Sequence, residues 1–80
     1  MWYVYIIECR DKTLYTGITT DVERRVKQHS EGKGARYTRG RGPFKLLKVI
    51  EVETNSLAAK EEYRIKQLTK QEKLKLIYGN

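Results

Sequence analysis

Five side chains in this sequence could act together on a proton or an anion: Tyr5, Tyr15, Arg25, His29 and Glu62. Tyr5 and Tyr15 lie in "VYIIECRDKTLYTG", which otherwise reads as an apolar β-hairpin. A hairpin loop with an odd residue count keeps odd-numbered positions of both strands on one face, so the two phenols project together. Gly17 then carries no side chain on that face, which leaves room for a substrate or another backbone. Aromatic packing is the alternative reading of both tyrosines. Val22, Arg25, Val26 and His29 are spaced i, i+3, i+4 and i+7, so a guanidinium borders the stripe that should face the sheet. It needs an acceptor there, a buried carboxylate or a phosphate held by a bidentate fork. His29 could shuttle a proton or simply hydrogen-bond at the helix end. Ala58, Glu61, Glu62 and Ile65 repeat the spacing, so either glutamate could meet Arg25 or a divalent cation. Mg²⁺ often uses one or two protein carboxylates, with water and phosphate oxygens completing its octahedron. Surface pairing of Glu62 with Lys66, four residues on, is the alternative.

These residues need a scaffold, and the apolar periodicity predicts one. Trp2 to Cys9 reads as a strand, Arg10 to Thr13 as a turn, and Leu14 to Thr19 as the partner strand. Thr20 and Glu23 fit a capping box for a helix running to about Ser30. Glu31 to Gly42 holds four glycines among Lys33, Arg36, Tyr37, Arg39 and Arg41, and reads as a loop with room for one helical turn. A strand follows from Phe44 to Val52. Asn55 or Ser56 can cap a helix to roughly Leu68, and Thr69 with Glu72 caps a last helix ending near Tyr78. The order β-β-α-β-α-α predicts an α/β layer, a three-stranded and at least partly antiparallel sheet with helices packed against it.

Eighty residues make one domain. The apolar fraction of 39% and charged fraction of 34% describe a very polar chain whose periodicity nevertheless supports folding. No apolar run approaches the ~18 residues of a membrane span, and the N-terminus lacks the zones of a secretory signal, so the expected location is cytoplasmic with no membrane partner. Cys9, the single cysteine, reads as a small core residue. The net charge of +7 is concentrated: Arg24 to Lys45 holds eight basic residues and one acid, and the rest of the chain is neutral in sum. Such a segment suits phosphates, and a charged solvated surface is the alternative.

In this order and spacing the residues resemble the GIY-YIG nuclease domain family, most closely its small stand-alone bacterial branch. Tyr3-Val4-Tyr5 corresponds to the first signature triplet and Tyr15-Thr16-Gly17 to the second. Arg25 falls at the family's helix arginine, His29 one turn later, and Ala58 to Glu62 matches an Ala-x-x-x-Glu pattern. "LYTGITTDVERR" and "YTRGRGP" are very close to the stand-alone branch. Two positions depart from the pattern: Tyr3 replaces the first signature glycine, and Ile18 stands where excision-repair relatives carry lysine.

The resemblance implies an α+β fold, a small three-stranded antiparallel sheet flanked by helices, that hydrolyses a DNA phosphodiester with one divalent ion, Mg²⁺ or Mn²⁺. By it, Glu62 holds the metal, Arg25 neutralises the phosphate, and Tyr5 and Tyr15 orient the attacking water, with a proton passing to one phenol directly or through His29. A phenol has an ordinary pKa near 10, so this role requires the site to lower it. Lys33, Arg36, Tyr37, Arg39 and Arg41 would follow the DNA backbone, with Tyr37 free to stack on a base. RNA is the alternative nucleic acid, and recognition should follow backbone and shape. With ~4–6 phosphates contacted, the log–log salt slope of binding should be roughly −4 to −5. A domain this small could rely on a protein partner for targeting. The rival readings are a nucleic-acid-binding module without catalysis and an adaptor whose basic face meets an acidic protein.

Overall fold

Val4, Tyr5, Ile6 and Ile7 are all fully buried, so the first strand must be covered on both faces. The computed structural model describes residues 1–79 and shows how. The elements are β1 (Trp2–Glu8), β2 (Leu14–Thr19), α1 (Val22–Ser30), β3 (Lys45–Val52), α2 (Asn55–Lys66) and α3 (Lys70–Tyr78). One sheet has the order β2-β1-β3 with both pairs antiparallel, which places the most apolar strand in the centre. The expected fold class is therefore found, with strand and helix ends within about two residues of the periodicity's reading.

The two faces of β1 serve different purposes. Val4 and Ile6 pack with Ala58 and Ile65 of α2, and Leu76 and Ile77 of α3 close over them, which makes the apolar core. Tyr5 points the other way, toward His29 of α1. Cys9, expected as the last residue of the strand, lies just beyond the end of β1 and is a buried free thiol, the small core residue its composition suggested. Among the described residues no helix is long and apolar enough to cross a membrane.

Two helix starts differ from expectation. Asp21, not Thr20, caps α1, its carboxylate accepting from the Arg24 amide at 3.1 Å, while the Thr19 hydroxyl accepts from the Asp21 amide. Thr54, not Asn55 or Ser56, caps α2 by accepting from the Leu57 amide at 3.1 Å. In both cases several neighbouring residues could cap, and extended backbone at the cap position decides among them. The Thr69–Glu72 capping box of α3 forms as read.

Candidate active site

The hairpin register brings the phenols together. Tyr5 lies opposite Gly17 and Ile7 opposite Tyr15, so both tyrosines occupy one face with ring centroids 6.4 Å apart. The space above Gly17 is not left for a substrate, because the Tyr5 ring fills it. A Cβ built on Gly17 would sit 2.6 Å from the Tyr5 ring carbon bearing the hydroxyl and nearer still to the oxygen. Gly34 does the same for His29, where a Cβ would lie 2.7 Å from the imidazole Cε1. Two glycines thus make the bed in which one phenol and one imidazole meet. Gly17→Ala should cost about 1–3 kcal/mol through overpacking and displace the Tyr5 ring. Denaturant unfolding checks this, and a change below about 0.5 kcal/mol would contradict the packing described.

His29 is the hub of the pair. The Tyr5 hydroxyl is 2.8 Å from its Nε2, and the Thr38 hydroxyl is 2.7 Å from its Nδ1. Thr38 Oγ1 commits its hydrogen to the Ala35 carbonyl at 2.9 Å, so Nδ1–H donates to Thr38 and Nε2 accepts from Tyr5. The tautomer is assigned from this network. The Ala35 amide lies 3.4 Å from Nδ1, at the long limit of hydrogen bonding, and in the assigned tautomer Nδ1 carries the hydrogen and does not accept from it. The result is a directed line: Tyr5 O–H to His29 to Thr38 to the Ala35 carbonyl.

Burial, and then the positive charge of Arg25, lower the His29 pKa to about 4, so the imidazole is neutral at physiological pH. Burial pushes the Tyr5 phenol above its ordinary value; the Arg25 guanidinium opposes this, and the charges of Tyr15 and Glu62 add to it. The expected lowering of a phenol pKa is therefore not found at Tyr5, because desolvation outweighs the neighbouring cation.

A neutral buried histidine makes stability depend on pH. The unfolded imidazole titrates near 6.5 and the folded one near 4, so the unfolded state binds the extra proton between these values. Its contribution is full above about pH 6.5 and lost progressively toward pH 4, by the order of 2–3 kcal/mol. His29 is the only histidine, so unfolding midpoints between pH 7 and 5 should fall in wild type and much less in His29→Gln. Equal slopes in the two proteins would contradict the buried neutral imidazole.

Arg25 is half-buried, bonds Gln28 Oε1 at 3.1 Å, and belongs to none of the ion pairs formed among the described residues. It lines a solvent-open cleft of about 330 Å³ with Trp2, Thr19, Arg24 and Gln28. The two glutamates of α2 part company. Glu61 turns to Arg64, whose Nε donates at 2.7 Å, while Glu62 pairs with Lys66 at 3.2 Å and its charge acts on Tyr5. Among the described residues no group of three or more His, Cys, Asp or Glu side chains is placed to hold a metal. A lone carboxylate does not fit structural zinc, but it fits Mg²⁺ or Mn²⁺ shared with water and substrate phosphate oxygens.

The Gly/Arg loop is pinned to the hairpin. The Arg10 amide donates to the Arg41 carbonyl at 2.8 Å, and the Arg41 side chain pairs with Asp11. Hydrogen bonds from Thr13, then Arg41, hold the Asp11 carboxyl below its usual range. Tyr37 stacks on Tyr15 with centroids 5.9 Å apart, and the Arg41 guanidinium lies 4.4 Å over the Tyr37 ring. Lys33, Arg36 and Arg39 are exposed. Of the five loop residues, three thus point charge at solvent, while Tyr37 and Arg41 are engaged in the fold. Thr38, Gly34 and Phe44, whose ring centroid is 5.9 Å from that of His29, complete the site without a local sequence signal.

Comparison with known proteins bears on these residues. A model of the GIY-YIG catalytic domain matches residues 1–75. The UPF0213 protein OB0043 of Oceanobacillus iheyensis is 60% identical over 75 residues, covering 94% of this chain and 87% of the relative. The UPF0213 protein YhbQ of Escherichia coli is 54% identical over 76 residues, 95% of this chain and 76% of the relative. The solution NMR structure of the UPF0213 protein BH0048 from Bacillus halodurans is similar with a TM-score of 0.63 at 49% identity, covering 98% of this chain and 84% of that one.

Proposed function

The chain belongs to the GIY-YIG family, and on that premise we propose that it is a divalent-metal-dependent endonuclease that hydrolyses DNA phosphodiesters by backbone and shape. One observation carries the reading: the Tyr5 phenol meets His29 of α1 at 2.8 Å and lies with its ring centroid 6.4 Å from that of Tyr15 of β2, within reach of the charges of Arg25 and of Glu62 on α2. Among the described residues no carboxylate pairs with the half-buried guanidinium, whose contacts are uncharged, so its charge is available to an anion.

Hydrolysis adds water across a P–O ester bond, leaving a phosphate monoester and an alcohol. Arg25 would bind the non-bridging oxygens and offset the charge that grows on them during attack. Tyr5 is fully buried and its hydrogen is committed to His29, so it is a positioning residue that holds the Arg25 side of the site. Tyr15, half-buried on the same face, is the phenol that can meet the attacking water. Burial is the larger cause of the low His29 pKa and would remain, but a phosphate on Arg25 would offset the second cause, the guanidinium charge, and so raise the imidazole pKa as substrate binds. Nucleases of this family generally use a divalent metal ion. Glu62 would hold it, and when bound the ion supplies Lewis-acid stabilisation of the departing oxygen.

Incubation of the wild-type protein with duplex, single-stranded and branched DNA in Mg²⁺ or Mn²⁺ tests this reading. Nicking of at least one substrate, abolished by chelator, is expected. Binding without cleavage of any of them would establish a nucleic-acid-binding module in place of an enzyme.

A further inference from the structure

Net charge outside the 24–45 segment sums to zero over the chain but is not evenly spread. Residues 66 to 75 carry Lys66, Lys70, Lys73 and Lys75 against one acid, Glu72, whose carboxylate is occupied in capping α3 at the Thr69 amide, 2.9 Å away. Lys66 and Lys73 line a groove of about 340 Å³ whose other wall is Tyr15, Thr16 and Tyr37. Lys73 and Lys70 line the adjoining groove of about 180 Å³ with Thr13 and Leu14. The Lys66 ammonium lies 5.7 Å from the centre of the Tyr15 ring and pairs with Glu62, so the groove opens from the candidate active site itself. Lys73 is half-buried and belongs to none of the ion pairs among the described residues. Among the described residues the Lys70 ammonium bonds only a backbone carbonyl, that of Lys12, at 3.1 Å. Both stand on the first turns of α3, where the helix dipole disfavours cations, so local helix energetics do not account for them.

We propose that Lys66, Lys70 and Lys73 form a second phosphate-binding bank, along which the DNA strand leaves the active site between Tyr15 and the start of α3. The proposal rests on the nucleic-acid reading above and deepens it. Charge complementarity selects the occupant: a row of three ammonium groups starting at a catalytic phenol and walled by aromatic rings fits a phosphodiester backbone. The exposed Lys33, Arg36 and Arg39 of the loop then form the other bank, and Tyr37, stacked on Tyr15, separates the two. The substrate strand is held on both sides of the scissile bond.

Salt-dependent binding of a short labelled DNA duplex, and of its single strand, to the metal-free protein tests this. Replacing Lys70 and Lys73 together by Gln should weaken binding severalfold at low salt and make the log–log slope shallower by about one per lysine. Lys73→Arg, added to the Lys70→Gln background, should recover the unit that Lys73 contributes. Lys60→Gln, on a different surface of α2, should change little, and circular dichroism should show all variants folded. Steep binding by wild type with an unchanged slope in the folded double variant would overturn the second bank and leave the nuclease reading standing. No DNA binding by wild type at any salt would overturn both.

Discussion

Arg25→Ala is expected to lower DNA cleavage by about 10²–10³-fold, the scale of removing one donor aimed at charge that develops in the transition state. The loss should be catalytic more than structural. Among the described residues Arg25 belongs to no ion pair; its contacts are Gln28 and the Tyr5 phenol, both uncharged, so its removal breaks little of the fold, and unfolding free energy should change by no more than about 1 kcal/mol. Arg25→Lys should restore only part of the rate, because an ammonium does not reproduce the bidentate fork. A second readout separates this account from a packing role. The Arg25 charge helps hold the His29 pKa near 4, so proton NMR titration of the imidazole should show that value rising in Arg25→Ala. A folded variant that cleaves within about threefold of wild type, with an unshifted His29, would remove Arg25 from the site.

That arginine was legible in the sequence because its position depends only on helical phase. Val22, Val26 and His29 define which side of α1 meets the sheet, and moving the cap from Thr20 to Asp21 does not rotate that stripe. That Tyr5 and Tyr15 share one face was legible for a similar reason: an odd hairpin loop sets the parity of both strands, and the observed register keeps it. Contacts between segments distant along the chain were not legible. Nothing periodic announces that Thr38 will reach His29, that Asp11 will claim Arg41, or that the Tyr5 ring will lie over Gly17. Each depends on where a side chain points across a loop or a neighbouring strand. The same limit applies to the second basic bank: its lysines cluster along the sequence, but only the fold sets them in grooves beside Tyr15 and Leu14.

Glu62→Ala carries the other large expectation. Glu61 is engaged with Arg64, so no neighbouring carboxylate replaces Glu62, and cleavage in Mg²⁺ or Mn²⁺ should fall by at least about 10²-fold, as for loss of a group that stabilises transition-state charge. Binding should move the other way. Removing a negative charge close to Tyr5 and releasing Lys66 raises the local positive potential, so metal-free affinity for DNA should be equal or higher. The fold should survive, since Glu62 is partly exposed and its one pairing is an i, i+4 bridge of the kind worth about 0.3–0.5 kcal/mol. The decisive measurement is nicking of the same DNA by wild type and Glu62→Ala, purified identically and compared at matched metal concentration. Metal-dependent nicking by wild type, with the variant folded, DNA-bound and inert, is the predicted result. Equal nicking by both proteins would contradict a catalytic site built on Glu62.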